Sequence, residues 1–164
     1  MKRSLSVLLL ALVATVAAMA QKPSPAAKAE GTIDGVKVTI EYSQPSAKGR
    51  KVMGGLVPFG EVWRTGANET TTIEFSAPVK IEGKDVPAGK YGLFTVPGES
   101  EWVLIINKGI KWGAYTYKKE EDVIRVSGKP SKTATLVEVF NIAVEKDQIT
   151  IKWENTQVSF KVKK

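Results

Sequence analysis

From Val36 to Tyr42 every second residue is apolar: Val36, Val38, Ile40 and Tyr42 alternate with Lys37, Thr39 and Glu41. A period of two sends alternate side chains to opposite faces of an extended chain, so this segment predicts a half-buried strand. The pattern recurs. Thr71, Ile73 and Phe75 alternate with Thr72 and Glu74, and Val79 to Ile81 is closed by the turn-forming run Glu82-Gly83-Lys84-Asp85. Tyr91 to Val96 and Trp102 to Ile106 are apolar on both faces, with Pro97-Gly98-Glu99-Ser100 as the turn between them. Val123 to Val126 and Thr133 to Val144 follow. Ile149, Ile151 and Trp153, then Val158, Phe160 and Val162, alternate after turns expected at Lys146-Asp147 and Asn155-Thr156, which reads as a closing meander. No segment beyond residue 30 sustains the 3.6-residue period of a helix. About nine short strands separated by turn signals predict an all-β, single-domain β-sandwich, immunoglobulin-like or jelly-roll, with a barrel as the alternative.

The N-terminus has a different design. Lys2 and Arg3 precede an apolar run from Leu5 to Val16, and Ala18-Met19-Ala20 supplies small residues for signal peptidase. The apolar run is shorter than the ~20 residues a membrane-spanning helix needs. Residues 1–20 therefore read as a signal peptide cleaved before Gln21, which predicts a periplasmic or secreted protein with no membrane anchor after cleavage. Residues 21–30, with Pro23 and Pro25 among small and charged residues, are expected to be a flexible leader to a β-sandwich domain over 31–164.

Composition removes several kinds of chemistry. The chain has no cysteine and no histidine. Histidine-based nucleophilic triads and the usual zinc and transition-metal sites are excluded, so no metal or cofactor is expected. A chain of about 150 residues can bury enough surface to fold without disulfides. The formal charge is +7, but Lys37, Lys80, Lys90, Lys118, Lys152 and Lys161 are scattered, not clustered, so nucleic acid is not an expected partner.

One long interval breaks the strand rhythm. Ser43 to Asn68 contains glycines at 49, 54, 55, 60 and 66, yet it also carries Leu56, Val57, Phe59, Val62 and Trp63. Loops beyond about 12–15 residues are uncommon in compact domains, and this one has too much apolar surface for disorder. It is expected to be an ordered loop following the first strand, with a short strand at Val62 to Thr65.

The same interval carries a resemblance. Tyr42-Ser43-Gln44-Pro45-Ser46, Lys48-Gly49-Arg50, Leu56-Val57-Pro58-Phe59-Gly60 and Val62-Trp63-Arg64-Thr65-Gly66-Ala67-Asn68-Glu69 resemble the exported bacterial family catalogued as domain of unknown function 2911. The likeness continues through Pro87-Ala88-Gly89, Tyr91, Leu93-Phe94-Thr95, Pro97, Trp102, Asn107 and Trp112-Gly113-Ala114-Tyr115, which is nearly the whole chain after the signal peptide. Met53 and Gly92 depart from its pattern. The resemblance implies export and a compact β domain, and it brings no activity with it.

Three groups of residues could carry a site. Arg64 offers a planar five-donor fork for carboxylate or phosphate, Trp63 a stacking face, and Asn68 and Glu69 polar edges. The structural reading of the same run is a core tryptophan followed by turn residues. Arg50, with Lys48 and Lys51, could meet an anion or be a solvated loop, and no phosphate-loop spacing is present. Trp112, Tyr115 and Tyr117 could form a carbohydrate-binding face or core. Ligand-binding candidates are thus Tyr42, Arg50, Trp63, Arg64, Asn68, Glu69, Trp112 and Tyr115; no catalytic residue is assigned. The leading expectation is a non-enzymatic binding module for a glycan or small anionic ligand. The alternatives are a hydrolase or isomerase using Glu61 and Glu69 as paired carboxylates, and an envelope structural protein that uses its sheet edges.

Overall fold

The computed structural model describes residues 24–111 and 116–164. Among the described residues there are ten strands: β1 (Ala26–Ile33), β2 (Val36–Ser43), β3 (Thr72–Phe75), β4 (Val79–Ile81), β5 (Lys84–Val86), β6 (Gly89–Val96), β7 (Trp102–Asn107), β8 (Asp122–Gly128), β9 (Ser131–Val144) and β10 (Gln148–Lys163). They form two open antiparallel sheets, one in the order β1-β2-β3-β6-β7-β8 and the other β5-β4-β10-β9. The fold is an all-β sandwich. Immunoglobulin-like and jelly-roll sandwiches are built from about seven to nine strands; here the division is six and four.

Register follows the apolar alternation. Val38 faces Phe75 and Ile40 faces Ile73 across β2 and β3, while Ile151 pairs with Ile142 and Ile149 with Val144 across β10 and β9. A slip of one residue would turn each of these sets outward, so burial pins the pairing. Val36, Val38, Ile40, Ile73, Phe75, Leu93 and Leu104 from the first sheet join Phe140, Ile142, Ile151, Trp153, Phe160 and Val162 from the second in one core cluster. Each such side chain contributes roughly 1.5–3 kcal/mol by leaving water.

Three expectations change. The flexible leader expected over 21–30 gives way at Ala26 to a strand, because β1 pairs with β2 along its whole length from Ala26↔Ser43 to Ile33↔Val36. The long loop consequently follows the second strand. The turn expected at Asn155-Thr156 is absent: β10 runs unbroken through it, and the irregularity is taken up by register shifts around Glu154, whose φ is 54°. A bulge bends a strand without ending it, so the two alternating runs belong to one element.

Candidate functional site

The interval between β2 and β3 is ordered because nearly every part of it is tied to a sheet. Gln44 donates its backbone N–H to Pro25, Ala47 to Glu138 and Gly60 to Pro97, and Phe140 of β9 donates back to Pro45. Trp63 and Thr95 of β6 exchange both backbone hydrogen bonds at 2.8 and 3.0 Å, so the short strand expected over Val62 to Thr65 is a single bridge centred on Trp63. The loop thereby laces to β9 of one sheet and β6 of the other.

Its turns follow from local sequence. Lys48 and Gly49 both have positive φ, 50° and 70°, and Arg50 closes the turn by donating to the Ala47 carbonyl at 3.1 Å. That is the geometry of a type I′ turn, which glycine adopts without steric penalty. Further on, Gly66 has φ 153°, and a Cβ there would stand 3.0 Å from both the Ser43 carbonyl oxygen and Thr71 Oγ1. Thr65, with φ 56°, is held by hydroxyl contacts to the Trp63 carbonyl and Thr95 Oγ1.

This loop walls a cleft of about 560 Å³, within the size range of small-ligand sites. Leu56, Val57, Pro58, Val62 and Trp63 supply an apolar wall, Trp153 of β10 backs it, and Lys48, Arg50, Glu61 and Arg64 bring charge. Trp63 is half-buried. It stacks on Trp153 at 5.9 Å and 17°, takes Phe140 and Trp102 edge-on at 5.2 and 6.4 Å, and donates its indole N–H to the Gly66 carbonyl at 3.1 Å. It is both core and cleft wall. Packing on three aromatic neighbours leaves the ring rigid.

The cations are engaged very differently. Arg50 is folded back on its own turn, donating from Nε to the Ala47 carbonyl at 2.9 Å and from Nη2 to the Ser46 carbonyl at 2.7 Å. Arg64 has a buried Nε with no hydrogen-bond partner, and among the described residues its guanidinium makes no ion pair. Carboxylates near the loop are occupied elsewhere: Glu138 accepts the Lys48 backbone N–H at 2.8 Å, and Glu154 accepts that of Val52 at 3.0 Å. A guanidinium donor withdrawn from water without a partner is costly, and most structures avoid it.

The structure brings together Arg50, Trp63 and Arg64 from the predicted set. Tyr42 and Glu69 line a separate depression with Lys28, Glu41 and Lys90. The Tyr42 hydroxyl accepts the Ile142 N–H at 3.2 Å and is buried, so it works as a tie between the sheets. Asn68 adopts φ 60° and donates to the Ser24 carbonyl at 2.9 Å, which fastens the start of β1 to the loop. Trp112 and Tyr115 lie outside the described residues. Tyr117 packs on Phe94 at 5.2 Å and bonds Asp122 and Arg125. Glu61 and Glu69, both exposed, line different depressions and share no cleft, so the carboxylate pair is not assembled. Sequence reasoning missed Trp153 as a cleft residue, since its alternation with Ile151 marks only burial.

Residues 24–162 match the family described as Protein of unknown function (DUF2911). The chain belongs to this family. No curated protein and no solved structure matches it. The DUF2911 match takes in β1 to β9, all but the last residue of β10, and the whole cleft-forming loop.

Proposed function

We propose that this DUF2911 chain is an exported, non-enzymatic binding module whose cleft takes a small organic anion. The observation that carries the reading is Arg64: a cleft-lining, half-exposed guanidinium that makes no hydrogen bond or ion pair among the described residues. A carboxylate or phosphate in the cleft would meet the terminal nitrogens of Arg64, which are not buried, through charge-assisted hydrogen bonds. Lys48 and Arg50 add positive potential around it, and the rigid Trp63 face with Leu56, Val57 and Val62 suits an apolar body. Small-ligand sites generally combine such an apolar lining with a few placed polar groups. The export assignment is supported by Lys2 and Arg3, the Leu5 to Val16 run and Ala18-Met19-Ala20. An N-terminal determination on protein recovered from the periplasm or medium should begin at Gln21; an intact Met1 terminus would count against export.

The binding test is calorimetry with a panel of aliphatic and aromatic carboxylates and phosphate monoesters, run on the purified chain and on Arg64→Gln. At least one compound should bind, and Arg64→Gln should weaken it roughly tenfold or more, the scale of a lost hydrogen bond to a charged group. Binding by none of the panel, or equal binding by the variant, would overturn the reading.

A further inference from the structure

The cleft holds one carboxylate as well as its cations, and the two signs do not neutralise each other. Glu61 and Arg64 both line it, three residues apart, yet they form no ion pair. The Glu61 side chain is exposed and has no hydrogen-bond or ion-pair partner among the described residues. The loop separates them by its own construction. Trp63 between them is locked to Thr95 by paired backbone bonds, and Thr65 and Gly66 turn the chain immediately after Arg64. An acid and a base that could have satisfied each other are thus presented separately to one space.

From this we infer that the ligand is a zwitterion, an α-amino acid or short peptide with a free carboxylate and a free ammonium group. The inference rests on the anion-binding reading above and specifies it further. The carboxylate meets Arg64, the ammonium meets Glu61, and the side chain lies on Leu56, Val57, Val62 and Trp63. A compact dianion would leave Glu61 facing like charge, and a simple monoanion would leave it unpaired. Lys48 and Arg50 make positive charge predominate in the cleft, so the carboxylate end is held more strongly than the amino end.

The test is a cycle of calorimetric titrations using leucine and leucyl-phenylalanine, each free, N-acetylated or C-amidated, against the wild-type chain, Glu61→Gln and Arg64→Gln. Because Glu61 is exposed, blocking the amine should weaken binding only about two- to fivefold, the range of an exposed ion pair. Glu61→Gln should weaken the free compounds by the same factor and leave the N-acetylated ones unchanged, since the lost interaction is then already absent. Amidation of the carboxylate and Arg64→Gln should each weaken binding roughly tenfold or more. If the N-acetylated compounds bind as tightly as the free ones, or Glu61→Gln weakens both alike, the zwitterion assignment fails and the anion reading survives. If the zwitterions do not bind while simple carboxylates do, the result is the same. If no carboxylate of any form binds, both readings fall together.

Discussion

Arg64 and Arg125 are the same residue at similar half-burial, and the fold treats them in opposite ways. Arg125 donates from Nε to Asp122 Oδ2 at 2.8 Å and from Nη2 to the Tyr117 hydroxyl at 3.0 Å. Asp122 in turn accepts from Tyr117 and from Asn107 Nδ2, each at 2.8 Å. Asn107, fully buried, also donates to the Lys118 carbonyl and accepts the Gly109 N–H. That corner between β7 and β8 is a linked network in which Arg125, Tyr117, Asp122 and Asn107 bond one another in turn, and it anchors the two ends of the intervening loop. At Arg64 the loop is equally well tied through its backbone, but the side chain is left open. The contrast separates an arginine that holds structure from one that is available to a ligand.

The largest effect should come from Asn107→Ala, which leaves the Gly109 N–H and one oxygen of Asp122 without their partner and removes one of two donors to the Lys118 carbonyl, the other being the Glu121 N–H. It should cost about 3 kcal/mol in urea unfolding, on the scale of unsatisfied buried groups. A cost below about 1 kcal/mol would mean water replaces the network, and the corner would then resemble the cleft. Next, Arg125→Gln should destabilise by about 1 kcal/mol, limited by its partial exposure, whereas Arg64→Gln should leave stability unchanged or raise it. Equal destabilisation by the two variants would erase the distinction.

A pH titration gives a smaller effect. Burial pushes the Tyr117 phenol above its ordinary value near 10, with Asp122 adding to the rise and Arg125 opposing it. A raised acid contributes stability that is complete below the unfolded value and is lost as pH rises through the folded one. Stability should therefore decline above about pH 10, with phenolate absorbance following it. In Asn107→Ala the phenolate should appear at lower pH, because the corner is looser; an unchanged titration would uncouple Tyr117 from the network.

The smallest effect is expected at the exposed pairs. Hydrogen bonds from Lys28, Lys90 and Lys161 hold Glu30, Glu41 and Asp147 below the ordinary carboxylate range. A depressed acid contributes stability above its unfolded value and loses it as pH falls through the folded one, so acidification below about pH 4.5 should soften the fold slightly. Added salt should abolish most of this contribution. A large, salt-resistant loss would place more weight on surface charge than the exposed geometry allows.

Much of the sandwich was legible because alternation and burial are two forms of one constraint. Val36 to Tyr42 reads as a strand from its side chains alone. β1 does not: of its residues only Ala29 and Ile33 are buried, and three of its alanines have little strand preference. The usable signal was Asp34-Gly35, a two-residue hairpin turn with φ of 47° and 79° that makes the preceding segment the partner of β2. At Asn155-Thr156 the opposite error arose, since turn-type residues there sit beside a bulge in a continuous strand.

The sequence alone determined an all-β chain without histidine or cysteine chemistry, and a loop too apolar to be loose. It singled out Trp63 and Arg64 through neighbouring residues. Only tertiary structure decided that Trp153, far along the chain, backs Trp63, that Arg50 is consumed by its own turn, and that Arg64 is left without an acceptor. Alternation is a local property that each strand carries in its own residues. Whether a donor is satisfied depends on which distant acceptors the packed sheets bring within reach, and that exists only once the chain has folded.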